Sequence, residues 1–157
     1  MEVEIKSNYP LHIKEQQIRN KKYFIYRDKE YPVDFDLLKK NSDYFFKFQN
    51  EFTNTTNINL IDKEEENDLK FSEDCIRVFI SCCHNEECMI SKSSVIGLQY
   101  LARKYEFQAL LKATSKIISE HWTDLLFSSL LFKNYNEQTK IIHFSNHQKK
   151  NNLFHHT

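Results

Sequence analysis

Residues 23–52 read YFIYRDKEYPVDFDLLKKNSDYFFKFQNEF, and their pattern decides what the rest of the chain must supply. Two short apolar runs, Tyr23-Phe24-Ile25-Tyr26 and Tyr31-Pro32-Val33, flank the polar residues Arg27-Asp28-Lys29-Glu30. That is a β-hairpin signature, with no glycine to fix the turn type. Pro32 lacks a backbone donor, so its strand is expected at a sheet edge or to end soon after. A helical pattern follows, in which Leu38, Phe45, Phe48 and Phe52 are spaced to share one face. Asp34 or Asp36 is the expected N-cap, since either puts negative charge at the helix N-terminus. A break is expected within Lys40-Asn41-Ser42-Asp43. Asn41 and Ser42 compete with helical hydrogen bonding, and Ser42 suits the cap of a second short helix carrying Tyr44, Phe45 and Phe48. A hairpin that feeds an aromatic helix needs a surface to pack on.

The segments downstream provide it. Asn57 to Ile61 alternates polar and apolar, as a half-buried strand does. Asp62 to Lys70, DKEEENDLK, reads as an acidic loop. Ser72 caps the next helix, with Glu73 and Asp74 in its first turn and a buried stripe of Ile76, Phe79, Ile80 and Cys83. Asn85-Glu86-Glu87 ends it, and Cys88-Met89-Ile90 is a short strand at most. Ser91 or Ser93 is expected to cap a helix with Val95, Leu98, Leu101, Ala102 and Tyr105 on one face. After a turn at Glu106, Phe107, Leu110, Leu111, Thr114, Ile117 and Ile118 face inward on another. Trp122-Thr123-Asp124 reads as a break with a fresh cap, then Leu125, Leu126, Ser129 and Leu130. Upstream, Leu11, Ile13 and Ile18 suit a short strand or one to two helical turns. The tail from Ser145 is polar and expected to be disordered. The fold class is therefore α+β, a small mixed sheet with a cluster of short α-helices. Four segments are expected: an N-terminal extension over residues 1–22, a domain over 23–119, a helical extension over 120–144 and a tail over 145–157.

Composition sets the limits on function. The chain of 157 residues suffices for one domain with its own core, and its 40% apolar content, with 13 Phe and 8 Tyr, makes that core aromatic. Its 22 basic residues balance 22 acidic ones, which removes the electrostatic argument for nucleic-acid or membrane-surface binding. The charge is uneven along the chain, acidic from Asp34 to Asp74 and basic from Lys133, as a solvated loop and a tail would be. One Gly and two Pro leave turns to Asn, Asp, Ser and Lys. No apolar run approaches the roughly 18 residues of a membrane span. The N-terminal MEVEIKSNYP has no apolar leader core, so the four Cys are expected as reduced thiols in the cytoplasm or nucleus.

The chemistry-bearing residues are few. Cys82, Cys83, His84 and Cys88 form the one metal-like cluster. Structural zinc wants two ligand pairs that converge, and the second pair here would fall to His121, His143 or His147, which no spacing selects. The cysteines read as small buried hydrophobes, and no metal or cofactor is expected. A cysteine nucleophile paired with His84 is not indicated by adjacency, because such pairs meet through the fold. The acids of DKEEEND lack the order and central glycine of a calcium loop. Gly97, alone in the chain, excludes a glycine-rich phosphate loop and falls mid-helix, where it allows close packing. No catalytic residue and no small-molecule substrate are expected.

In this order the segments resemble a BTB/POZ domain. The matching parts are the hairpin YFIYRDKEYPV, then LLKKNSDYFFK with its leucine, serine and aromatic, the strand INLID, the acidic segment, and SEDCIRVFISCC with Phe79 at its centre. The most specific is the helical pair VIGLQYLARKYEFQALLKATSKII. There an alanine and an aromatic, Ala102 and Tyr105, lead by a tight turn into Phe107 and Leu110. The resemblance covers residues 23–119 and marks a divergent member. Cys82-Cys83-His84-Asn85 stands where the family often has a tyrosine, a small residue and a glycine. Val33-Asp34-Phe35-Asp36 stands where a histidine is common.

The resemblance implies a non-enzymatic protein–protein interaction module that pairs with a second copy through its first helix and N-terminal segment. Leu37, Leu38 and Asn41 are then the dimer-interface candidates. It also implies an adaptor role on a cullin-type ubiquitin ligase scaffold, contacted somewhere between Phe79 and Tyr105. Two alternatives stay open. One is a tetramerisation domain of the related potassium-channel type; the other is a small metal- or thiol-dependent enzyme built on Cys82, Cys83, His84 and Cys88.

Overall fold

Glutamates alternating with apolar residues place Glu2–Ile5 in a strand (β1), ahead of the hairpin β2 (Lys21–Tyr26) and β3 (Lys29–Asp34). The computed structural model describes residues 2–5, 18–125 and 132. Strand β2 is central. It pairs antiparallel with β3 and parallel with β4 (Asn57–Asn59), giving the mixed sheet β3-β2-β4. Alternate residues Lys22, Phe24 and Tyr26 are buried, and Pro32 lies on the edge strand, opposite Tyr23. Lys22 is an inward cation and is satisfied there. Its Nζ donates to Phe52 O at 2.7 Å and to Thr55 O, and lies 4.9 Å from the Phe35 ring centroid. Burial, and then nearby Lys39, lower its pKa from the usual lysine value.

The broken helix forms as the sequence indicates. Asp34 caps α1 (Phe35–Asn41) by accepting from Asp36 N at 2.9 Å and Leu37 N at 3.4 Å. Ser42 ends α1 and caps α2 (Asp43–Lys47), its Oγ accepting from Phe45 N at 3.1 Å. A 3-10 turn over Gln49–Phe52 then carries the chain to β4.

The acidic segment is a helix rather than a loop, α3 (Lys63–Asp68), with three glutamates in its first turn, where the positive end of the helix dipole favours negative charge. Tyr100 Oη donates to Glu65, and Lys104 Nζ lies 3.4 Å from the same carboxylate, so an acidic run that reads as solvated is tied down. Ser72 caps α4 (Glu73–Cys83) through Cys75 N at 3.1 Å. Strand β5 (Cys88–Ser91) pairs antiparallel with β1, from Glu2 opposite Ser91 to Ile5 opposite Cys88. Helices α5 (Val95–Lys104) and α6 (Gln108–Glu120) pack as a hairpin. The N-cap of α5 is Ser94 rather than Ser91 or Ser93, and its hydroxyl donates back to Ser91 O at 3.2 Å. Residues 122–125 turn helical again after His121. Phe132 is buried with its ring 5.0 Å from Phe71.

The architecture is α+β, and one core unites the sheet and the helices around Phe24, Phe45, Phe79, Leu98, Leu101 and Tyr105. Among the described residues no helix is long and apolar enough to cross a membrane. Leu11, Ile13, Leu126, Ser129 and Leu130, residues 133–144 and the tail over 145–157 lie outside the described residues.

With one glycine, the chain fills its left-handed positions with other residues: Arg27, Asp28, Asn85 and Glu106 have φ of 48°, 64°, 55° and 53°. Arg27 and Asp28 are the two central residues of the β2–β3 turn, the type I′ sense that matches strand twist. Asn85 and Glu106 each close a helix. Glu86 N donates to Ser81 O (2.8 Å) and Asn85 N to Cys82 O (3.2 Å); Phe107 N donates to Ala102 O (2.9 Å) and Glu106 N to Arg103 O (3.4 Å). Both are Schellman caps. The one glycine is used for space instead. A Cβ on Gly97 would lie 2.8 Å from Cys75 Sγ and 3.1 Å from Phe71 Cδ1. Two substitutions therefore move in opposite directions. Gly97→Ala costs about 1–2 kcal/mol, because overpacking outweighs the gain in helix propensity. Asp28→Gly stabilises by about 0.5–1 kcal/mol, because relief of left-handed strain exceeds the entropy lost at glycine. Urea midpoints at unchanged m value measure both.

Candidate functional site

The interface candidates divide once they are folded. Leu38 is fully buried in the core and Leu37 is 3% exposed, so both are covered within a single protomer. Asn41 is half-buried, and its Nδ2 donates to Cys83 O at 3.0 Å, satisfying a carbonyl at the end of α4. These three residues hold α1 onto the domain. The surface that α1 and α2 present is made of their neighbours.

That surface is an open groove of about 530 Å³ lined by Asp36, Lys39, Lys40, Asp43, Phe46 and Gln49. Phe46 is 63% exposed, the most exposed of the large hydrophobic residues described. Of the residues spaced to share one face, Leu38 and Phe45 are buried, whereas Phe48 is exposed, as is its neighbour Phe46. The reason is local. Ser42 stops α1, so α2 starts in a new direction and only Phe45 of its residues is buried. Charges of both signs rim Phe46, with Lys39 Nζ 3.4 Å from Asp36 Oδ1. Asn20 Nδ2 donates to the same oxygen at 3.2 Å.

The cysteine-rich segment is split by the end of α4. Cys83 is fully buried, and burial pushes its thiol well above the ordinary range. Cys75, on the same helix, is also raised by burial and donates to Ser94 O at 3.6 Å. Cys82 and Cys88 meet, with their sulfurs 3.4 Å apart. Among the described residues no group of three or more His, Cys, Asp or Glu comes together to hold a metal.

His84 is used for structure. Its Nε2 accepts from Asp34 N at 2.9 Å, joining the end of α4 to the start of α1, and Glu86 Oε1 lies 3.3 Å from Nδ1. An accepting Nε2 carries no proton, so the ring is held in the neutral form with its hydrogen on Nδ1. Burial lowers the His84 pKa from the ordinary 6.5, with Asp34 pulling the other way.

A depressed pKa means that the folded chain binds fewer protons at this site than the unfolded one, so its stability rises with pH. The contribution is complete above 6.5 and is lost as pH falls below that value toward the folded pKa. The urea midpoint is expected to drop between roughly pH 7.5 and 5.5, and His84→Gln to flatten that drop. No protein-family model matches this chain, and neither a curated protein nor a solved structure matches it.

Proposed function

We propose that the chain is a protein–protein interaction module of BTB/POZ type that self-associates through the outer face of α1 and α2. The observation that carries this is Phe46, an aromatic ring 63% exposed in a groove rimmed by Asp36, Lys39, Lys40 and Asp43. An exposed aromatic among charges of both signs has the anatomy of an interface anchor. The family part of the reading is supported by order: hairpin, broken helix, parallel strand, helix α4, strand β5 and the hairpin of α5 and α6. The occupant is a second copy, because charges of both signs on one groove complement themselves.

An adaptor role on a cullin-type scaffold is the narrower form of the proposal, drawn from the resemblance between Phe79 and Tyr105. A cytoplasmic or nuclear setting belongs to that form. Calorimetry against a purified cullin N-terminal domain tests it separately.

Light scattering tests self-association. Leu38→Asp would break the core, so Phe46→Asp is the informative change. The wild type is expected to be dimeric at micromolar concentration. Losing one aromatic anchor worth about 2 kcal/mol weakens the dimer roughly 30-fold. A monomeric wild type, or a Phe46→Asp dimer of unchanged affinity, overturns the proposal.

A further inference from the structure

The end of α4 brings together two thiols that the interaction surface does not use. Its Schellman cap turns the chain at Asn85, so that Cys88, the first residue of β5, returns beside Cys82 in the last turn of the helix. The sulfurs lie 3.4 Å apart, and one thiol donates to the other. Their environments differ. Cys82 is buried, whereas Cys88 is half-buried and reachable from solvent.

We propose that Cys82 and Cys88 are a modification site, an oxidisable dithiol that a peroxide converts to an intrachain disulfide. The geometry asks for little. The sulfurs must close from 3.4 Å to about 2.0 Å, and rotation of the half-exposed Cys88 side chain brings them in. The cap on α4 holds the backbone beside Cys82, and pairing of β5 with β1 holds that of Cys88.

Cys88 is the attacking group. The hydrogen bond from Cys82 lowers the Cys88 pKa against the opposing effects of burial and Glu86, and the same contact, with burial, raises Cys82. Cys88 gives up its proton, the thiolate attacks a peroxide oxygen, the O–O bond breaks, and the departing hydroxide takes up that released proton as water, leaving a sulfenic acid at Cys88. The sulfur of Cys82 then attacks the sulfur of Cys88. The S–O bond breaks, and the leaving hydroxide takes the Cys82 proton away as water. Two thiols lose two electrons in all, and hydrogen peroxide becomes two waters. Cys75 and Cys83 are more deeply buried and take no part. The new bond fastens α4 to β5, the strand that carries β1, at the residue paired with Ile5.

The test uses the full chain, reduced and then exposed to hydrogen peroxide in the native state. Denatured afterwards, it is expected to titrate two thiols in place of the four in the sequence. Peptide mapping should place the bond between Cys82 and Cys88. Cys82→Ser should stop at the sulfenic acid, trapped on Cys88 by dimedone, and Cys88→Ser should lose both the disulfide and the dimedone adduct. Retention of all four thiols, a bond between two chains, or a bond to Cys75 or Cys83 overturns the proposal. The wild-type map decides even where a variant fails to fold.

Discussion

Tyr105 is where the helices and the sheet are made to agree. Its backbone carbonyl ends α5 and accepts from Ser42 Oγ at 2.5 Å, while Asp43 N donates to Glu106 O at 3.2 Å. Its ring stacks on Phe45 at 5.0 Å and touches Phe24, Tyr44 and Phe79. Its hydroxyl crosses the core to donate to Leu60 O, just beyond β4. One residue therefore fixes the break between α1 and α2, the exit of β4 and the turn into α6. Burial raises its phenol pKa, so the hydroxyl remains a donor at neutral pH. The break at Ser42 is more than a helix terminus, because it is the socket that receives the end of α5.

What was legible in the sequence follows from which signals are local. Ser72, Asp34 and Ser42 announce caps because their oxygens need only nearby backbone hydrogens. Short apolar runs around a polar turn marked β2 and β3, alternation marked β4, and the stripes on α4, α5 and α6 marked their buried faces. What was not legible depends on distant partners. Nothing within DKEEENDLK reveals that Tyr100 and Lys104 will meet Glu65 and hold a helix there. Leu37 stands as an interface candidate until the rest of the protomer covers it. Phe48 reads as part of the inward face until the break at Ser42 redirects the second helix. The alternation Glu2-Val3-Glu4-Ile5 was a strand signal hidden in a segment that its charge made look like an extension. The sulfur contact had no sequence signal beyond two cysteines on either side of a helix end, because the Schellman cap that joins them is a matter of backbone conformation.

The chain puts its charge and its packing in separate places. Among the described residues the buried polar side chains have specific partners, so that Lys22 takes two carbonyls, Ser42 bridges two helices and His84 accepts one amide. Opposite charges at the surface sit around Phe46 in an exposed setting, where each pair contributes little stability but can select a partner. Positions that specify the fold are thus distinct from positions able to specify an encounter. Surface change around Phe46 can alter association without disturbing the core.

Strand β1 joins the structure in an unusual way. Among the described residues its strand partner is β5, from far along the chain, so Glu2 facing Ser91 closes most of the domain into one loop. The entropy of that closure is recovered only after α4 and α5 have set β5 in place. The first of the described residues thus take their strand partner from beyond α4, and β5 presents an unpaired edge whenever they are not bound to it.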